Sequence, residues 1–280
     1  MPGGAPEGAF TAAGLDFTGG DRLPSIYAHT RFGEEAAKCL PEQLRLSVQR
    51  FQRLYRVGCS GPDFFFFYWP LFKTKLGALG SGFHRQSGKE FFENAARQLR
   101  QNPSEGGTAY LYGVLCHYCL DSQCHPLIKE VSREGNPGHT ELETEFDRHL
   151  LSLDGKVPAH LQNIGFKTRL TWGECVTISS FYPPATAYTV RIGVGTMSLV
   201  YRALTMKNRE LLQRLFNLGG TYASQLVMYS RPNHRCGELI EPLEQLYGQA
   251  LNRYAELATQ LARCLETGEP LGEEFAPSFG

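Results

Sequence analysis

Apolar positions recur every three to four residues along most of the chain, the period of helices that bury one face. In "PEQLRLSVQRFQRLYRVG" Leu44, Val48, Phe51 and Leu54 fall on one stripe. The stretch predicts a helix with Pro41 at its start and Gly58 as its stop. Arg50, Arg53 and Arg56 share another face of that helix and read as a solvated surface. "SGKEFFENAARQLRQN" opens with Ser87 and Glu90 at capping-box spacing and predicts a helix to Asn102. "GGTAYLYGVLCHYCLDSQCHP" is apolar on nearly every face, with Thr108 as its predicted cap and Pro126 as its predicted end. Further helices are predicted over 185–206, 208–229 and 240–266. The last carries Leu243, Tyr247, Ala250, Tyr254, Leu257 and Leu261 on a single stripe. Period-two alternation is weak throughout, and "ECVTISSFY" is the one strand candidate. The pattern predicts one all-α, multi-helix domain over 23–267, with flexible tails at 1–22 and 268–280.

Composition adds limits. A chain of 280 residues with 42% hydrophobic and 20% charged residues has the make-up of a globular protein able to bury a core. The formal net charge is zero, which argues against a stable nucleic-acid partner, since domains that grip polyanions usually carry a basic excess. The first residues, "MPGGAPEGAFTAAGLDFTGGD", lack both a basic start and an apolar run, so no secretory signal is expected. Nor is there a stretch of the ~18 apolar residues that a membrane span needs. The eight cysteines are therefore expected as reduced thiols in a cytoplasmic protein.

The candidate chemistry collects in "LCHYCLDSQCH". On a helix, His117, Asp121 and His125 fall at i, i+4 and i+8, within about 80° of one another. Cys116 and Cys119 point away from that stripe, while Cys124 lies close to it in angle. A carboxylate and two imidazoles on an otherwise apolar helix need partners, and a cation supplies them. A cysteine knot is disfavoured because no second CxxC is present to complete it. "NPGHTELETEFDRHL" adds His139 and Glu143 at i, i+4, although Thr140 and Glu143 also fit a capping box. Asp147 continues the same stripe and Glu145 does not. His84 sits in the Gly/Ser-rich "SGFHRQSG", and His29 in "YAHTRFGEEA", each next to a predicted helix. Asp63 follows the Gly-Pro turn of "GCSGPDFFFFYWP", at the border of six aromatic residues from Phe64 to Trp69. A carboxylate at such a border is partly desolvated, which tunes its pKa for proton transfer. His149, His160 and His234 have no such company and read as structural or surface residues.

Taken in order, His29, Asp63, His84, His117-x-x-x-Asp121-x-x-x-His125 and His139-x-x-x-Glu143 resemble the zinc-dependent phospholipase C family, within the wider phospholipase C and P1 nuclease superfamily. The matching residues lie between 27 and 147. The resemblance implies a helical domain holding two or three zinc ions. One ion would be bound by His84, His117 and Asp121, and a second by His125, His139 and Glu143. Asp121 would bridge to a third, which His29 also ligates. Asp63 would orient or deprotonate the attacking water, and Phe64 would line the headgroup pocket. Secreted members complete the third site with an N-terminal tryptophan, whereas the tryptophans here are Trp69 and Trp172, and 28 residues precede His29.

The expected activity is hydrolysis of a phosphate ester, on a small or phospholipid-like substrate, by clustered divalent ions and an aspartate-activated water. Two alternatives are a single-strand nuclease using the same site and a non-catalytic, metal-stabilised intracellular binding protein.

Overall fold

One long helix carries the largest share of the packing between elements. The computed structural model describes residues 26–68, 75–133, 135–156, 169–218 and 224–280. Its helices are α1 (Tyr27–Ala36), α2 (Glu42–Arg50), α3 (Gln52–Gly58), α4 (Lys75–Arg85), α5 (Gly88–Gln101), α6 (Glu105–Val131), α7 (His139–Leu153), α8 (Trp172–Ser179), α9 (Ala187–Leu204), α10 (Arg209–Asn217) and α11 (Gly237–Thr267), with a 3-10 turn at Gly61–Phe67. No strand occurs among the described residues, only an isolated bridge between Ser87 and Ser278. The fold is all-α, as the apolar period predicts. The predicted tail at 1–22, His160 and Trp69 lie outside the described residues.

Helix α6 is buried on almost every side from Gly106 to Asp121, which explains its lack of a polar face. It packs most extensively against α3 and α11. Ser104 rather than Thr108 caps it, the Ser104 hydroxyl accepting from the Gly107 N–H at 3.0 Å. Nor does the helix end at Pro126. It continues to Val131, and the burial of Ile128 offsets the one backbone bond that the proline removes.

Other expectations change as well, and the helix predicted over 208–229 ends at Asn217. The helix predicted over 41–58 breaks at Phe51 (φ −106°, ψ 35°), and α3 restarts after it and packs against α6. At that crossing the backbones touch. A Cβ on Gly58 would come within 2.3 Å of the Tyr110 carbonyl, and one on Gly113 within 2.2 Å of the Tyr55 carbonyl. The strand candidate is helix α8, because Thr171 and Glu174 form a capping box that outweighs the β-branched composition behind it. Ser87 makes no side-chain cap on α5. The Gly88 N–H donates instead to the Pro277 carbonyl at 2.9 Å.

That last contact belongs to a segment for which the sequence suggests a flexible tail. Gly268, at φ 81°, ends α11, and residues 271–280 then run back over α5 and α6. Leu271, Phe275 and Phe279 are buried there. Phe275 stacks on Tyr118 with ring centroids 5.9 Å apart.

All eight cysteines are free thiols, and only Cys39 is exposed. No helix among the described residues is long and apolar enough to cross a membrane.

Candidate metal centre

Helix α6 presents His117, Asp121 and His125 along one face, and four other elements bring partners to it. Helix α1 brings His29. Its N-terminus lacks a side-chain cap of its own. The buried Asp147 on α7 supplies one, accepting from the N–H groups of Ile26 (3.1 Å), Tyr27 (3.0 Å) and Ala28 (2.7 Å). The carboxylate that continues the His139/Glu143 stripe thus fixes the helix that carries His29. The 3-10 turn brings Asp63 by way of Gly61, whose φ of +50° favours glycine. A Cβ there would come within 2.2 Å of the His117 ring, so the missing side chain lets the turn lie on the imidazole. On α4, His84 Nδ1 lies 2.9 Å from the Gly80 carbonyl, which can only accept. This fixes the proton on Nδ1 and turns Nε2 toward Asp63 Oδ1, 2.9 Å away. On α7 the helix start is served by Glu141, whose Oε2 accepts from the Gly138 N–H at 3.2 Å. Glu143 is thereby left to His139 at 3.0 Å and His125 at 3.3 Å.

Asp121 stands at the centre. Its oxygens lie 3.2 Å from His29 Nε2, 3.2 Å from His117 Nε2 and 3.8 Å from His125 Nε2. Proximity does not become hydrogen bonding throughout. His29 Nδ1, Asp63 Oδ2, both ring nitrogens of His117, His125 Nδ1 and Glu143 Oε2 are buried without a hydrogen-bond partner. Buried polar atoms are nearly always satisfied, so orphans gathered in one place mark donors arranged for something other than each other. Among the described residues three donor groups converge, with ligand atoms within 4.8 Å of one another. They are His84, His117 and Asp121; His125, His139 and Glu143; and His29, Asp63 and His117. The first two have the members that the resemblance implies, whereas the third places Asp63 itself among the donors. No cysteine joins any of them, and Cys124 is buried away from the cavity. Imidazole and carboxylate sets of this kind fit zinc sites that keep open positions.

The electrostatics agree with that reading. Burial lowers the pKa of His117 to about 4, against the pull of Asp121 and Asp63, leaving a neutral imidazole at neutral pH. Burial also disfavours charge on His29, but the Asp121 carboxylate beside it prevails and raises its pKa to about 9. His84 is likewise raised, burial being outweighed by Asp63. Glu143 falls to about 2 because His139 and His125 overcome its burial. A cation bound here displaces the proton that His29 carries. Zinc binding near pH 7 is therefore expected to release protons and to tighten as pH rises, the release fading above about pH 9. Titration calorimetry in buffers of different ionisation enthalpy reads the count, and heats independent of buffer would contradict it.

All of these donors except the fully buried His117 line a cavity of about 210 Å³, with Arg85 and Lys129 also on its wall. Phe64 does not reach it. That side chain is fully buried against Phe65 and Tyr182, and Phe66, two residues on, lines the cavity instead. The aromatic run is thus mostly core, with a single face turned to the site. His149 pairs with Glu244 at 3.0 Å, and His234 lies by a different cavity. Sequence reasoning missed the roles of Asp147, Gly61, Phe66, Arg85 and Lys129. The Gly-Pro step at 61–62 and the place of Asp147 on the His139/Glu143 stripe were the local signals among them.

A helical domain whose central helix gathers histidines and carboxylates into adjoining donor sets has the side chains that fit metal binding. A family model described as zinc dependent phospholipase C matches residues 28–179, more than half of the chain. The chain belongs to that family. No match was found among curated proteins or among solved structures.

Proposed function

We propose that this protein hydrolyses a phosphate ester at a zinc cluster, with Asp63 accepting the proton of the attacking water. The observation that carries the reading is the set of buried, unpartnered donor atoms around Asp121. Bound zinc would supply charge to stabilise a phosphoryl oxygen and to lower the pKa of water. His84, His117 and Asp121 would hold one ion, and His125, His139 and Glu143 a second. His29, with Asp121 or Asp63, would serve a third.

The chain's own residues do the rest. Asp63 keeps one oxygen on His84, while the other lies 3.7 Å from His117 Nδ1 without a hydrogen bond and is available to hold a proton. Neutral His117 donates a lone pair without first shedding a proton. Arg85 and Lys129 place positive charge on the cavity wall, where a phosphate dianion or an anionic headgroup would lie. Phe66 offers an apolar face to the leaving alcohol. A cavity of about 210 Å³ suits a phosphoryl group with a small substituent better than a nucleic-acid strand.

The test is elemental analysis of protein purified without added metal or chelator, followed by assays on a small phosphodiester, a phosphomonoester and single-stranded DNA. Two or more zinc equivalents with turnover of a small ester are expected. Faster cleavage of single-stranded DNA would favour a nuclease. Zinc-loaded protein that turns over none of the three would make it a non-catalytic relative.

A further inference from the structure

We infer that Phe279 and Gly280 are positioning residues that hold three of the metal-binding histidines in register. The inference rests on the zinc reading given above. Residues 271–280 form a strap fastened at many points. The Leu271 N–H donates to Glu93 at 3.1 Å and the Gly272 N–H to Gln260 at 3.2 Å. The Tyr118 hydroxyl lies 3.3 Å from the carbonyls of both Glu274 and Pro277. The strap's final turn then touches the site through three different histidines.

Phe279 is buried edge-on against Tyr118 and Phe91, and its ring centroid lies 6.2 Å from that of His117. The Gly280 N–H donates to the His84 carbonyl at 3.3 Å. The Gly280 backbone also presses on His125, since a Cβ built there would fall 1.9 Å from Nδ1. Two adjacent residues therefore brace His84 on α4 and both His117 and His125 on α6. His84 and His117 share one donor set and His125 belongs to another, so the strap ties these two sets to each other as well as to the core.

Groups that orient metal ligands typically change metal affinity by about 10- to 100-fold when they are removed. None of the strap's side chains is a donor, so its contribution acts through the imidazoles it holds.

The test is zinc affinity by chelator competition on the full chain and its variants, with circular dichroism to confirm folding. Phe279→Ala is expected to bind zinc about 10- to 100-fold more weakly than the wild type. Gly280→Val leaves the Phe279 anchor in place and puts a side chain against His125, and it is expected to lose at least about tenfold. A chain lacking residues 277–280 should lose as much as Phe279→Ala. Leu212→Ala, a buried change on α10 outside the cavity wall, controls for general destabilisation. It should lower thermal stability and keep the wild-type affinity. Strap variants that fold and bind zinc as tightly as wild type, in the same number, overturn the inference while leaving the zinc reading intact. A wild-type chain that takes up no zinc overturns both.

Discussion

Asp121→Ala is expected to lose at least one zinc ion and to lower kcat/KM by a thousandfold or more, about 4 kcal/mol of transition-state stabilisation. The reason is geometric. This one buried carboxylate lies 3.2 Å from imidazole nitrogens of His29 and His117 and 3.8 Å from one of His125. The other carboxylates of the cavity, Asp63 and Glu143, each have two histidines within 3.7 Å. Removing Asp121 leaves its three rings facing one another with no negative charge between them, which penalises any cation beside them. Alanine is a strong helix former, so α6 should survive the change and the loss should report on the site. Elemental analysis beside initial rates on a small phosphodiester gives the answer. Full activity in Asp121→Ala would end the bridging role.

Asp63→Asn is the second large effect. The amide is nearly isosteric, so the turn fixed by Gly61 should persist. It cannot accept a proton as a carboxylate does, and kcat should fall by about 10²- to 10⁴-fold with KM little changed. The measurement that interprets this result is zinc content. Retained zinc with lost turnover marks Asp63 as the base. Zinc lost along with turnover makes it chiefly a ligand, in keeping with its place beside His29 and His117. Unchanged turnover would move the base elsewhere.

The class of fold and the side chains that converge on the cavity were legible in the sequence, and the reasons are local ones. Helical period survives in any helix with one wet face, and His117, Asp121 and His125 align because i, i+4 and i+8 align on every α-helix. What stayed hidden depended on contacts between distant segments. The cap on α1 comes from Asp147, more than a hundred positions away, so the Ile26–Ala28 stretch carries no trace of it. The break at Phe51 arises where α3 must meet α6, which no window of residues 41–58 contains. The strap's glycine, proline and aromatic composition resembles that of a loose end, because its partners are Tyr118, Phe92 and His125. Phe64 and Phe66 are the same residue type two positions apart. Only the turn's orientation decides which of them faces the cavity.

The crossing of α3 and α6 has a meaning for how this protein tolerates change. Gly58 and Gly113 let the two backbones touch just ahead of the turn that delivers Asp63 and one helical turn before His117. The spacing of the candidate site's floor is thus written at two positions outside its cavity wall. A methyl group at either one would wedge the helices apart and carry the aspartate away from the histidines. In a survey of inactivating substitutions these glycines would rank beside the candidate metal donors, and an observer with activity data alone would mistake them for part of the chemistry.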